Sequence, residues 1–133
     1  MTAKTIHSMI RVIDEAKSTE FYRKAFGLEV ADRFPLDGFT LVYLRNEKSP
    51  FELELTVNGE RDKPYEKGDG YGHLAVLVDD LESEHKRMKD EGLQPGDVKE
   101  LNLGGKPARF FFIKDPDGYQ IEVIGRGGRF ANY

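Results

Sequence analysis

The sequence contains no cysteine, which excludes disulfides, thiolate nucleophiles and cysteine-ligated metal centres at once. It also lacks tryptophan, so its core must come from aliphatic residues, phenylalanine and tyrosine. No apolar run approaches the ~20 residues that a membrane span requires. The opening Met1-Thr2-Ala3-Lys4-Thr5 carries no apolar signal-like stretch. Positive charge is not in excess: 20 Lys and Arg against 24 Asp and Glu give a formal net charge of −4. The bases are scattered among acids rather than gathered into the basic face that phosphate binding demands. These absences predict a cytoplasmic protein with neither a nucleic-acid nor a membrane partner.

What is present suits a single domain. At 133 residues a chain buries roughly two-thirds of the surface it would expose unfolded, without a covalent staple. The 38% hydrophobic and 33% charged content is a globular balance.

The chain then says the same thing twice. Ile6–Ile13 alternates, with Ile10 and Val12 on one face and His7, Met9 and Arg11 on the other. Asp14 offers an N-cap for a helix to Phe26 that carries Ala16, Phe21, Tyr22 and Ala25, and Gly27 stops it. Strand-like stretches follow at Leu28–Phe34, Phe39–Leu44 and Phe51–Val57. In the second half Gly72–Val78 reads as a strand, and Asp79 or Asp80 caps a helix to about Glu91, ended by Gly92. A weak strand near Asp97–Leu101 comes next, then Arg109–Ile113 and Tyr119–Ile124. Each half is β-α-β-β-β, which predicts an α+β fold of two tandem βαβββ modules forming a cupped, barrel-like mixed sheet. Module one covers about 5–58, a polar linker or site-covering loop 59–70, and module two about 71–125. The tail Gly125-Arg126-Gly127-Gly128-Arg129 is expected to be mobile, because three glycines lower its strand and helix tendency together.

The repeat extends to residue types. His7 leads to Asp14 and His73 to Asp80 at the same interval, while Phe51-Glu52-Leu53-Glu54-Leu55 matches Tyr119-Gln120-Ile121-Glu122-Val123. Residues from the first and last strands of each module would meet in the cup, bringing His7 to Glu54 and His73 to Glu122. Strand parity leaves both Glu52 and Glu54 free to face the cup, and the match with Glu122 favours Glu54. Two imidazole nitrogens and two carboxylate oxygens form a sulfur-free set suited to Ni²⁺, Zn²⁺, Co²⁺, Mn²⁺ or Fe²⁺. Such an ion polarises a carbonyl and eases removal of a neighbouring C–H proton, with a loosened carboxylate as base. A lone strand histidine is more commonly a packing or surface residue, and a strand glutamate commonly faces solvent. The fourfold coincidence within a duplication puts metal binding on an equal footing with both. His85, mid-helix among charged residues, is given no role.

These residues resemble glyoxalase I (lactoylglutathione lyase), of the vicinal oxygen chelate superfamily. The resemblance runs from His7-Ser8-Met9-Ile10-Arg11-Val12 through Phe21-Tyr22, Phe26-Gly27-Leu28, Leu53-Glu54-Leu55-Thr56 and Tyr71-Gly72-His73-Leu74-Ala75 to Asp115-Pro116-Asp117-Gly118-Tyr119-Gln120-Ile121-Glu122. It implies one divalent metal per site, held by His7, Glu54, His73 and Glu122, with Glu122 as the catalytic base. Ni²⁺ or Co²⁺ is favoured and Zn²⁺ possible, since the chain lacks the extra loops of longer zinc-using members. The implied reaction isomerises the methylglyoxal–glutathione hemithioacetal to S-lactoylglutathione by proton transfer through a metal-bound enediolate. Arg11, Asn58 and His73 are the implied substrate-binding residues, Arg11 and Asn58 matching positions that hold the thiol. The resemblance further implies a homodimer whose sites draw two ligands from each subunit. The Asn58–His73 loop is one residue longer than in typical bacterial members, and Leu103–Arg109 stands where the family often has a basic stretch. The expected partner is therefore glutathione or a similar thiol plus a 2-oxoaldehyde. Rival readings are another superfamily metalloenzyme (an epimerase, a dioxygenase or an antibiotic thiol transferase) and a metal-free small-molecule-binding module.

Overall fold

The computed structural model describes residues 1–133. It divides into two compact units, Met1–Glu66 and Lys67–Tyr133, with the same order of elements in each.

The first unit holds β1 (His7–Val12), α1 (Glu15–Phe26), β2 (Glu29–Pro35), β3 (Phe39–Asn46) and β4 (Ser49–Asn58). They build a four-stranded mixed sheet in the order β1-β4-β3-β2, with β1 parallel to β4 and the other pairs antiparallel. Asp14 caps α1 by accepting the Lys17 N–H at 3.0 Å. Gly27 ends it in the left-handed region at φ 66°, its N–H returning to the Arg23 carbonyl. The buried stripe of α1 is Ser18, Phe21, Tyr22 and Ala25, an i, i+3, i+4, i+7 set. Ala16, expected on that stripe, is exposed. At 100° per residue it falls well off the line through Ser18 and Phe21, and Ser18 takes the inward place. Under the helix lie Ile10, Val12, Val42, Leu44, Leu53 and Leu55, all buried.

The second unit holds β5 (His73–Val78), α2 (Leu81–Asp90), β6 (Lys99–Leu103), β7 (Lys106–Lys114) and β8 (Gln120–Gly125). Its sheet runs β5-β8-β7-β6, again with the first pair parallel. Asp80, rather than Asp79, caps α2 through the Ser83 N–H. Its core is Leu81, Met88, Phe111, Ile113, Ile121 and Val123. His85 is part of that packing, edge-on to Phe111 at 4.9 Å with Nε2 2.8 Å from the Gly96 carbonyl oxygen. The β6–β7 hairpin differs from the sequence expectation. Gly104 and Gly105, both at positive φ, make a two-residue turn of the kind that matches strand twist. That turn shifts β6 to Lys99–Leu103 and extends β7 back to Lys106.

The glycine-rich tail is folded rather than loose. Arg126 binds the Asp79 carboxylate at 2.7 Å and the carbonyls of Ala131 and Tyr133 at 3.2 and 2.8 Å. A short 3₁₀ turn forms over Gly128–Phe130. Glycine makes this compact path available instead of dissolving it.

Candidate functional site

Each sheet packs one face against its helix, and the opposite face is only partly open, with Glu54 and Thr56 buried on the first and Phe110 and Ile124 on the second. In the first unit that opposite face carries His7, Met9 and Arg11 from β1, Glu52, Glu54, Thr56 and Asn58 from β4, and Tyr43 from β3. The parallel register pairs His7 with Glu52 and Met9 with Glu54, so His7 sits one same-face step behind the partner of Glu54. The His7 Nε2 lies 3.7 Å from Glu54 Oε1. Glu52 is drawn the other way, to Arg45 Nη1 at 3.2 Å.

The second unit repeats this. Register pairs His73 with Gln120 and Ala75 with Glu122, and His73 Nε2 lies 3.3 Å from Glu122 Oε1. The histidines are partly exposed, at 34% and 39% of their side-chain surface, while the glutamates retain only 12% and 18%. The nitrogens are thus reachable, and the carboxylates are walled by their sheets. The structure brings the four residues together as two pairs, one per unit. No group of three or more His, Asp or Glu side chains placed to hold a metal is gathered in the chain. The donors nonetheless fit a divalent transition ion: each pair presents an imidazole nitrogen and a carboxylate oxygen to the same point, with no sulfur.

The residues behind the pairs were not legible in the sequence. Tyr43 faces Glu54 across the β3–β4 ladder and packs edge-on against His7 at 5.8 Å. The pull of the neighbouring Glu54 carboxylate on its hydroxyl proton, followed by burial and the charges of Glu54 and Glu52, raises the Tyr43 pKa above the usual tyrosine value. Phe112 holds the equivalent place in the second unit, facing Glu122 and packing on His73 at 5.3 Å. The repeat singles out only the first and last strands of each half, and Tyr43 and Phe112 stand on the third.

Arg11 and Asn58 are brought together as well. Both line an open groove of about 860 Å³ in the first unit, with Gly38, Glu60, Arg61 and Tyr65. The Asn58 Nδ2 donates to the Tyr65 hydroxyl at 3.0 Å. Arg61 stacks over the Tyr65 ring at 4.3 Å and donates to the Lys63 and Pro64 carbonyls. The polar stretch after Asn58 therefore forms one wall of this groove.

The family model described as "Glyoxalase/Bleomycin resistance protein/Dioxygenase superfamily" matches residues 4–123. The chain belongs to this superfamily. Among curated glyoxalase relatives, a probable lactoylglutathione lyase of Vibrio cholerae is 38% identical over 91% of this chain and 89% of its own length. The lactoylglutathione lyase of Haemophilus influenzae is 37% identical over 90% of each. Among solved structures, the glyoxalase I of Leishmania major, described as trypanothione-dependent, matches with a TM-score of 0.75 at 31% identity, covering 93% of this chain and 87% of that one. Glyoxalase I of Zea mays gives 0.77 at 29% identity, covering 94% of this chain and 45% of that one. In sequence and fold this is a chain of the glyoxalase I type.

Proposed function

We propose that the protein is a lactoylglutathione lyase that isomerises the hemithioacetal of methylglyoxal and glutathione. The observation that carries this reading is the repeated register: two His–Glu pairs, set at the same step of two parallel ladders, on a chain of this family. His7, Glu54, His73 and Glu122 would hold one divalent ion per site, Ni²⁺ or Co²⁺ by preference, at a homodimer interface with two ligands from each subunit. When bound, such an ion would act as a Lewis acid that lowers the cost of removing the proton from the hemithioacetal carbon.

The chain's own residues do the rest. Glu122 takes the proton from the hemithioacetal carbon and returns it to the neighbouring carbonyl carbon, while the hydroxyl hydrogen passes from one oxygen to the other. One C–H bond breaks and one forms, and no oxidant or reductant is needed. Arg11 offers a fork to a thiol carboxylate and Asn58 an amide that both donates and accepts. A cytoplasmic site of action supplies the reduced thiol.

The test is thioester formation from methylglyoxal and a panel of thiols, with nickel, cobalt or zinc added to the chelated protein. Metal-stimulated turnover with glutathione is expected, and Glu122→Gln should lower kcat by roughly 10²–10⁴-fold with the fold intact. Full activity in the chelated enzyme or in that variant contradicts the mechanism. Oxygen uptake with iron and a catechol, in place of thioester formation, would put the chain among the dioxygenases.

A further inference from the structure

Six arginines, Arg23, Arg33, Arg45, Arg87, Arg109 and Arg126, are each held to a carboxylate of the protein. Arg61 is held differently. Its Nε and Nη2 donate to the Lys63 and Pro64 carbonyls at 2.8 and 3.0 Å, and its guanidinium lies 4.3 Å from the centre of the Tyr65 ring. Two neutral carbonyls and a ring face orient the fork without cancelling its charge. The loop that carries it is pinned as well. The Gly59 N–H reaches the Gly38 carbonyl at 3.1 Å, and the Tyr65 hydroxyl accepts from Asn58 Nδ2 at 3.0 Å. Arg61 lines the same groove as Arg11, Asn58 and Glu60. A cation fixed in place, facing a groove of ligand size and bridged to no carboxylate of its own chain, is built for an anion that a ligand brings.

Building on the lyase reading above, we propose that Arg61 is a specificity-determining residue that binds the C-terminal carboxylate of a tripeptide thiol. Tyr65 is the positioning residue that holds Arg61 in place. The two cations of the groove differ in what stands beside them. Arg11 shares it with the Asn58 amide, which donates and accepts as the carboxylate and ammonium of an amino-acid end require. Arg61 offers a planar fork, which suits a lone carboxylate. Arg11, Arg61 and Glu60 together bring two positive charges and one negative to the groove. That is the complement of a thiol with two carboxylates and one ammonium, such as glutathione. A thiol ending in a neutral amide would leave the Arg61 charge unanswered.

S-Methylglutathione keeps both carboxylates but has a capped sulfur, so its binding involves no turnover. Calorimetry on the full-length, chelated protein compares it with the analogue whose glycine ends in a carboxamide. The parent should bind the acid about tenfold more tightly than the amide. Arg61→Gln should bind the two about equally, at the parent's affinity for the amide, which also shows that the variant is folded. Tyr65→Phe, which keeps the ring, should retain the preference for the acid, and Tyr65→Leu should lose most of it. A parental preference in Arg61→Gln or in Tyr65→Leu overturns the proposal, and so does a parent that binds acid and amide alike or binds neither. A protein with this Arg61-dependent preference that makes no thioester keeps the inference and loses the lyase reading. Thioester formation from glutathione at an unchanged KM in Arg61→Gln keeps the lyase reading and loses the inference.

Discussion

Asp115 accepts the Tyr119 N–H at 2.9 Å with its Oδ1, and the same oxygen accepts the Asp117 N–H at 2.9 Å. The backbone closes the turn in parallel, Asp115 N–H to the Tyr119 carbonyl and Gly118 N–H to the Asp115 carbonyl. This Asp-Pro-Asp-Gly turn feeds β8 and so aims Glu122. Because Asp115 is 5% exposed, Asp115→Ala leaves a buried N–H without its acceptor and should cost about 1–3 kcal/mol. A lowered urea midpoint at unchanged m-value checks this.

The folded tail makes Gly128 more demanding than the other turn glycines. Its φ is 52°, and a Cβ there would stand 2.9 Å from the Pro107 carbonyl oxygen, which is backbone and cannot step aside. Gly104, at φ 65°, would place a Cβ in open space. Gly104→Ala should therefore cost only about 1 kcal/mol of left-handed strain, and Gly128→Ala more. Paired thermal melts of the two variants test the difference.

Arg11 and Asn58 line one groove with Tyr65. If that groove holds the thiol, Arg11→Lys keeps the charge and loses the two-pronged geometry. KM for the hemithioacetal should rise on the order of tenfold, with kcat within about twofold. Steady-state kinetics settle it: a fall in kcat alone would place Arg11 in the chemistry rather than in binding.

Burial, followed by the charge of Asp115, pushes the Tyr71 hydroxyl above the usual tyrosine range. The folded protein then keeps a proton that the unfolded chain releases near pH ~10. Stability is fully present below that pH and falls as pH rises toward the raised value. Tyr71→Phe should flatten this alkaline decline, read from urea midpoints at stepped pH between about 9 and 11. An unchanged slope would show that Tyr71 ionises as it does in the unfolded chain.

Much of this architecture was readable in the residues. Alternation placed Ile10 and Val12 inward, Asp14 and Asp80 marked helix starts by the acceptor they offer, and Gly27 marked an end by the φ it permits. The internal repeat singled out the residues that the structure sets in pairs. Ser18 was missed because a small hydroxyl carries no apolar signal, although the helical period allowed it. The β6–β7 hairpin was misplaced because Gly104-Gly105 reads as a break until strand pairing turns it into a tight turn. The tail was misjudged because Arg126 finds Asp79, 47 positions earlier in the sequence, a relation no local pattern encodes. Tyr43 was invisible for the same reason: its partner Glu54 lies on another strand.

In the proposed site, His7 and Glu54 of one subunit share an ion with His73 and Glu122 of the other. Two differently tagged double variants, His7→Ala with Glu54→Ala and His73→Ala with Glu122→Ala, test it when purified as a mixed dimer and weighed for metal by native mass spectrometry. Each variant alone should carry no tightly held ion, and the mixed dimer should regain a single ion and about half the parental turnover, because one of its two symmetric sites is whole. A mixed dimer as empty and inactive as either variant would contradict the shared site.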